Sequence, residues 1–242
     1  RLFAQRVCNV VAEDGTVFVQ DYQLMLVPEF VRSLRPDVVI GYFHHIPFPE
    51  AAHVAGFEHA AELLKGLGAC DVVGFQRQSD VDHFRACLQE LDPSAVSASV
   101  PHSAAYPISI DSAAVSTAAS QPVVLAKAQE YATSWGNPEW VFLGVDRLDY
   151  TKGITQRLLA FEELLASGAV NADTAVFVQA GSPSRENVAR YQQLSAEIDA
   201  IIERVNTTFP SVTGRPAIMY LRENLPRTDM LALFVVADVM VV

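Results

Sequence analysis

The chain has 242 residues, half of them hydrophobic, enough to bury the core of one large domain or two small ones. Its 17 basic residues face 28 acidic ones for a formal charge of −11, which argues against nucleic acid as a main partner. Cys8, Cys70 and Cys87 are isolated, without Cys-x-x-Cys spacing, and fit reduced thiols in the cytoplasm; no apolar run reaches membrane length and no signal peptide opens the chain, so no membrane partner is expected.

Residues 2–12 are mostly apolar at helical spacing and end at the turn Glu13-Asp14-Gly15. Thr16 to Val19 reads as a buried strand, with Gln20-Asp21-Tyr22 at its carboxyl end. Leu24, Leu26, Val27, Phe30, Val31 and Leu34 mark a helix that stops at Arg35-Pro36, because proline restricts the residue before it. Val38 to Phe43 is the next strand and delivers His44 and His45 at its tip. This is β-α-β, the unit of a parallel sheet, so Asp21 and His45 are expected at the same edge of one sheet. The His-His pair invites a metal reading, but adjacent strand side chains point to opposite faces and no third ligand follows at a recognisable spacing. A packed histidine capped by a backbone group is the plainer alternative.

A long helical pattern runs from Ala51 to Ala69, with Phe57, Ala60, Leu63, Leu64 and Leu67 on one face. Asp71 to Gln76 is a further strand, and Ser79 is expected to cap a helix whose Val81, Phe84 and Leu88 face inward. Residues 92–106 are rich in Pro, Ser, Ala and Val and show no clear period. Ala113 to Trp135 reads as helix interrupted near Pro122, and Gly136-Asn137-Pro138 as a turn.

Val141-Phe142-Leu143 is a short apolar run of strand character, followed by Gly144-Val145-Asp146-Arg147-Leu148-Asp149-Tyr150-Thr151-Lys152-Gly153-Ile154. Leu158, Leu159, Phe161, Leu164 and Leu165 then recur at helical spacing. Strand, polar turn and helix succeed one another. In an open α/β sheet, ligands sit outside the carboxyl ends of the strands, often near helix N-termini. The planar fork of Arg147 and the point charge of Lys152 suit a ligand carrying phosphate. Mutual surface pairing of Asp146, Arg147 and Asp149 is the competing reading. Thr174 to Ala180 is the next strand, and Gly181 to Glu186 opens a helix over 187–205. That Ser-rich turn either binds an anion with Arg185 or simply caps the helix with Arg185 solvated. A strand at 217–221, a helix at 227–234 and a strand at 237–241 complete the pattern.

The run from Gly144 to Ile154 resembles the signature of the trehalose-6-phosphate synthases, retaining glycosyltransferases of family 20 with the GT-B fold. Val19 to Pro28, Arg35-Pro36-Asp37, Ile40 to Pro49, Gly74-Phe75-Gln76, Pro107 to Asp111 and Pro183-Ser184-Arg185-Glu186 agree with that family in order. The resemblance implies an α/β protein of GT-B type, with two Rossmann-like domains built on parallel sheets and both incomplete in this chain. Residues 1–111 would be the C-terminal part of the acceptor-side domain, 112–138 a linker, and 139–242 the first part of the nucleotide-sugar domain.

The implied reaction moves glucose from a nucleotide-glucose donor, such as UDP-glucose, to glucose 6-phosphate, giving trehalose 6-phosphate with retained configuration. By the same resemblance, Arg147 and Lys152 hold the donor diphosphate and stabilise the leaving group. His45 lines the donor glucose, and Leu225 lies where backbone groups receive the base. Asp21 binds acceptor hydroxyls and Arg185 grips the acceptor phosphate. No cofactor and no metal are implied. His44 stands where the family usually has an apolar residue and receives no role, and Ala55 to His59 replaces the family's Leu-Pro-x-Arg-Glu-like element.

The chain starts abruptly at Arg1 and stops at Val242 within an apparent strand, so a fragment is expected, inactive by itself. Two other readings stay open: a related synthase with another acceptor such as glycerol 3-phosphate, and a non-catalytic module that binds sugar phosphates. Retention of Asp21, His45, Arg147 and Lys152 weighs against the second. The donor base and the oligomeric state, a homo-oligomer included, are left open.

Overall fold

Two four-stranded parallel sheets organise the described residues, one in each of two units, Arg1–Ser109 and Ile110–Val242. The computed structural model describes residues 1–91, 100–182 and 187–242.

The first unit runs α1 (Leu2–Val10), β1 (Thr16–Gln20), a single 3-10 turn (Tyr22–Leu24), α2 (Val27–Leu34) and β2 (Val39–Phe43). It continues with α3 (Ala51–Val54), α4 (Ala60–Gly68), β3 (Val72–Phe75), α5 (Gln78–Leu91) and β4 (His102–Ala105). The strands lie in chain order, β1-β2-β3-β4, and every pairing is parallel. The core gathers Val19, Ile40, Tyr42, Val73 and Phe75 from the sheet with Leu64, Leu67, Phe84 and Leu88 from the helices. Fully burying one such side chain contributes about 1.5–3 kcal/mol.

Several expectations need correction here. Strand β1 is not buried throughout: Val17 and Val19 face the core while Phe18 is 63% exposed, the period-two alternation of a sheet with one covered face. The helical pattern from Ala51 to Ala69 breaks into α3 and α4, because the chain turns at Ala55 to His59, where the Gly56 N–H donates to the His53 carbonyl at 3.2 Å. Phe57, expected on the buried face, is half exposed at that turn. Ser79 lies inside α5, which starts one residue earlier, and the buried polar group of that first turn is Asp80. Asp80 accepts from the Phe48 N–H at 3.2 Å and pairs with Arg77 at 3.0 Å. Strand β4 appears in the segment that showed no period; it has no β-branched residue, and pairing with β3 from Val72↔His102 to Phe75↔Ala105 makes it a strand.

The second unit runs α6 (Ser112–Ala119), α7 (Pro122–Ser134), β5 (Trp140–Val145), a 3-10 turn (Tyr150–Lys152) and α8 (Ile154–Ala166). It continues with β6 (Ala175–Ala180), α9 (Ala189–Thr208), β7 (Ile218–Leu221), α10 (Arg227–Val236) and β8 (Val239–Met240). Residues 112–138, read as a linker, hold α6 and α7, and Val124 and Ala128 of α7 cluster with Leu231 and Ala232 of α10. Pro122 sits at the start of α7, where its missing N–H costs nothing.

The strand order β7-β6-β5-β8 is parallel throughout and reverses direction at β5. Both faces of the sheet are covered: Leu158, Phe161, Phe177, Ile198 and Val205 pack on one side, and Trp135, Leu143, Val178 and Leu233 on the other. Strand β6 is therefore buried at every residue, as expected inside a doubly covered parallel sheet. The chain runs outward from β5 through β6 to β7 and then crosses back to lay β8 on the other side of β5, so a crevice is expected beyond the carboxyl ends of β5 and β8.

Candidate functional site

The turn from Asp146 to Lys152 leaves β5 at that switch point. Its shape follows from a few side chains. Asp149 accepts from the Thr151 N–H at 3.0 Å and from the Thr151 hydroxyl at 2.8 Å, and Tyr191 Oη donates to its other oxygen at 3.2 Å. Gly153 has φ +63°, which a side-chain-bearing residue adopts only under strain, and it is the N-cap of α8. Asp146 is held by Arg157, which rises from α8.

Both carboxylates of the turn are thus engaged by other groups, and the mutual pairing of Asp146, Arg147 and Asp149 does not occur. Arg147 and Lys152 are exposed, and their side chains have no hydrogen-bond or ion-pair partner among the described residues. A third cation stands close: the Arg190 guanidinium lies 3.8 Å above the centroid of the Tyr150 ring, and Tyr150 meets Tyr191 edge to face at 5.9 Å. A cavity of about 360 Å³ opens beside the turn, with Leu148, Gly181, Tyr191, Ser195, Tyr220 and Arg222 in its wall. At its rim Arg222 pairs with Asp199 and stacks on Tyr220 at 4.4 Å. Leu225 is half-buried against the cluster of Trp135, Leu143 and Leu233.

In the first unit, the ends of β1 and β2 bring Asp21 and His45 together. Gln20 and Phe43 are register partners, and the His45 N–H donates to Asp21 Oδ1 at 3.2 Å. Asp21 has φ +66° and ψ 169°, a conformation rare for any residue but glycine. It is held there because its N–H donates to the Phe43 carbonyl at 2.9 Å and its own carbonyl accepts from the Leu24 N–H at 3.1 Å. Strain maintained by surrounding bonds is characteristic of functional positions. The exposed His45 ring places Nε2 2.7 Å from Gln20 Oε1, an amide oxygen that accepts from it.

His44 turns the other way, into the core. It is 3% exposed, its Nδ1 lies 2.9 Å from the Tyr42 hydroxyl, and Phe48 and Phe75 flank it at 5.2 and 6.0 Å. The two rings therefore do not converge on one point, and among the described residues no group of three or more His, Cys, Asp or Glu is placed to hold a metal ion. The three cysteines are free; burial pushes the Cys70 thiol up to about 12 and the Cys87 thiol up to about 11. Arg185 lies outside the described residues.

Sequence reasoning passed over Gln20 and Arg157. The signal for Arg157 was present: it falls three residues after Ile154 and four before Phe161, on the apolar stripe of α8, where a charge demands a partner.

The fold is of GT-B type, with parallel α/β sheets in both units and a cation-bearing turn at the switch point of the second. The chain belongs to glycosyltransferase family 20, whose profile matches residues 1–242. The trehalose-6-phosphate synthase of Mycobacterium avium (strain 104) is 41% identical to it over 258 residues, covering all of this chain and 52% of that protein. A structure from E. coli bound with UDP-2-fluoro glucose superimposes with a TM-score of 0.83 at 25% identity, over 99% of this chain and 54% of the other. An alpha,alpha-trehalose-phosphate synthase (UDP-forming) from Burkholderia xenovorans, in complex with glucose-6-phosphate, gives 0.83 at 27% identity over 98% and 55%. The chain thus spans about half the length of the relatives it matches. No described helix is long and apolar enough to cross a membrane.

Proposed function

We propose that the full-length protein transfers glucose from a nucleotide-glucose donor to glucose 6-phosphate, with retention, to make trehalose 6-phosphate. The observation that carries this reading is the pair of cations on the turn leaving β5, Arg147 and Lys152, which have no partner among the described residues and whose acidic neighbours are engaged by other groups. The similarity to a trehalose-6-phosphate synthase, to the E. coli structure bound with UDP-2-fluoro glucose and to the Burkholderia xenovorans synthase in complex with glucose-6-phosphate supports the choice of donor and acceptor class.

In this mechanism the negative charge that grows on the leaving diphosphate is met by groups already in place. Fixed cations that bind the departing charge more strongly than the ground state lower the barrier. Arg147 offers two parallel donors and Lys152 a point charge. His45, its ring oriented by Gln20, positions the donor glucose, and Asp21 receives acceptor hydroxyls. Arg185 grips the acceptor phosphate, and the backbone beside Leu225 receives the base. Retaining glycosidases place two carboxylates about 5 Å apart, one of them the nucleophile. Here the bond from C1 to the diphosphate oxygen breaks and the acceptor hydroxyl bonds to C1 on the same face, its proton passing to the departing diphosphate oxygen, in place of that covalent step. Free, spaced cysteines suit a cytoplasmic setting.

The test is turnover by the full-length protein with UDP-, ADP- and GDP-glucose against glucose 6-phosphate, glycerol 3-phosphate and glucose, with the product identified. Trehalose 6-phosphate formed only with glucose 6-phosphate is the expected result. Transfer to glycerol 3-phosphate would reassign the acceptor, and binding without transfer would make the protein a sugar-phosphate module.

A further inference from the structure

The side chain that fastens the Arg147–Lys152 turn to the rest of the second unit is Arg157. It is 6% exposed, in the first turns of α8. Its Nη2 reaches the Asp146 carboxylate and also donates to the Lys152 carbonyl at 2.7 Å, so one nitrogen holds both ends of the turn. Its Nη1 donates to the Val241 carbonyl at 3.0 Å, just past β8. Beyond the backbone pairing of β5 with β8, this guanidinium thus ties together the segments that leave the two strands.

The sequence makes room for it. A Cβ on Gly144 would lie 2.9 Å from Arg157 Nη1 and 2.4 Å from Gln179 Oε1, so the glycine that opens the signature run clears space for the fork. The buried Nε of Arg157 and Oε1 of Gln179 have no partner among the described residues. A buried cation held at such expense is pinned by its acceptors, and a lysine has no second arm with which to reproduce them.

We propose that Arg157 is a positioning residue for diphosphate binding: it sets the spacing of Arg147 and Lys152 across the switch point and cancels the charge of Asp146. This rests on the assignment of Arg147 and Lys152 to a nucleoside diphosphate. Without the guanidinium, Asp146 becomes an unpaired anion at the base of the turn, facing the place where a diphosphate would bind. Both consequences weaken the donor and leave the acceptor alone. A plain structural ion pair would instead lower stability without distinguishing the substrates.

The experiment uses the full-length protein and its Arg157→Lys, Arg157→Gln and Asp146→Asn/Arg157→Gln variants. UDP, ADP and GDP are titrated by calorimetry, KM is measured for the nucleotide sugar and for glucose 6-phosphate, and thermal melts are recorded alongside. Loss of a charge-assisted clamp predicts roughly ten- to a hundredfold weaker nucleoside diphosphate binding in Arg157→Gln, with the acceptor KM changed by less than about threefold. Arg157→Lys should recover part of that loss, and the double variant should bind the diphosphate better than Arg157→Gln because the repelling charge has gone. If Arg157→Gln does not fold, Arg157→Lys carries the comparison. A folded variant with wild-type diphosphate affinity, or one that loses donor and acceptor equally, overturns the proposal. A wild-type protein that binds no nucleoside diphosphate overturns the functional reading, and this inference with it.

Discussion

The hydroxyl of Tyr42 and Nδ1 of His44 meet at 2.9 Å inside the first unit, and the other ring nitrogen of His44 is buried without a partner among the described residues. Burial holds the His44 pKa below its ordinary 6.5, against the opposing pull of Asp21 and Asp80, so the folded protein keeps this ring neutral. The unfolded chain takes up the proton first as pH falls. Stability is therefore fully present above about pH 6.5 and is lost as pH drops toward the folded-state value, with a slope of at most about 1.4 kcal/mol per pH unit. Asp37, whose carboxyl is held well below the carboxylate range by its hydrogen bond to Arg35, loses its contribution only below its ordinary 3.8. Urea denaturation between pH 7 and pH 5 should show a fall in stability that His44→Leu flattens. An unchanged slope in that variant would remove His44 as the cause.

Arg147→Ala and Lys152→Ala should each cost about 2–4 kcal/mol of transition-state stabilisation, the size of one lost charge-stabilising donor. Steady-state kcat/KM for the nucleotide sugar measures it. Rates within about threefold of wild type for both variants would sink the diphosphate assignment.

Chelation should leave turnover intact. The leaving group has protein cations in Arg147 and Lys152, and His44 and His45 face different neighbours. EDTA followed by add-back of single divalent ions tests this; activity lost and restored by one ion would be decisive against it.

Arg185→Ala should raise the KM for glucose 6-phosphate far more than that for the nucleotide sugar. A charge-assisted hydrogen bond is worth about 1.5–3 kcal/mol, or roughly ten- to a hundredfold. The same variant should discriminate less against unphosphorylated glucose. Weakened donor binding with an intact acceptor KM would mean the two sites are exchanged.

Gly66→Ala separates packing from propensity. Alanine inside a helix is favoured over glycine by about 1 kcal/mol. A Cβ on Gly66 of α4, however, would lie 2.2 Å from the Met25 carbonyl oxygen and 3.1 Å from Leu26 Cα, and backbone does not rotate away. Overpacking costs about 1–3 kcal/mol, so after the propensity gain a net loss of up to about 2 kcal/mol in unfolding free energy, read from urea denaturation, is expected. A stabilised variant would show that the approach of α4 to this turn is slack.

The alternation of strand, polar turn and helix from Val141 to Leu165 was legible because an apolar run and a helical period adjoin there without ambiguity. Strand β4 was not, since His102 to Ala105 has no strand propensity of its own and depends on β3. The break between α3 and α4 hid within an alanine-rich stretch whose spacing stayed helical through Gly56. The placement of Asp21 next to His45 followed from β-α-β geometry, but the positive φ of Asp21 depends on where Phe43 places its carbonyl. Arg157 announced itself only as a charge on an apolar stripe; that it reaches Val241 is a tertiary fact no spacing encodes.

The order of strands also bears on how a nascent chain acquires this fold. In the first unit each strand pairs with the one synthesised next, so the sheet can grow as it emerges. In the second, β5 keeps one side open until β8 arrives, and the Val141 N–H finds the Asp238 carboxylate 97 positions later at 2.8 Å. Closing so long a loop is slow, and an open edge is a template for pairing with another chain. Nascent chains that have emerged past Ala180 but not yet past Asp238 would therefore present β5 and β6 with that edge bare, and this window is where chaperone capture or aggregation should concentrate.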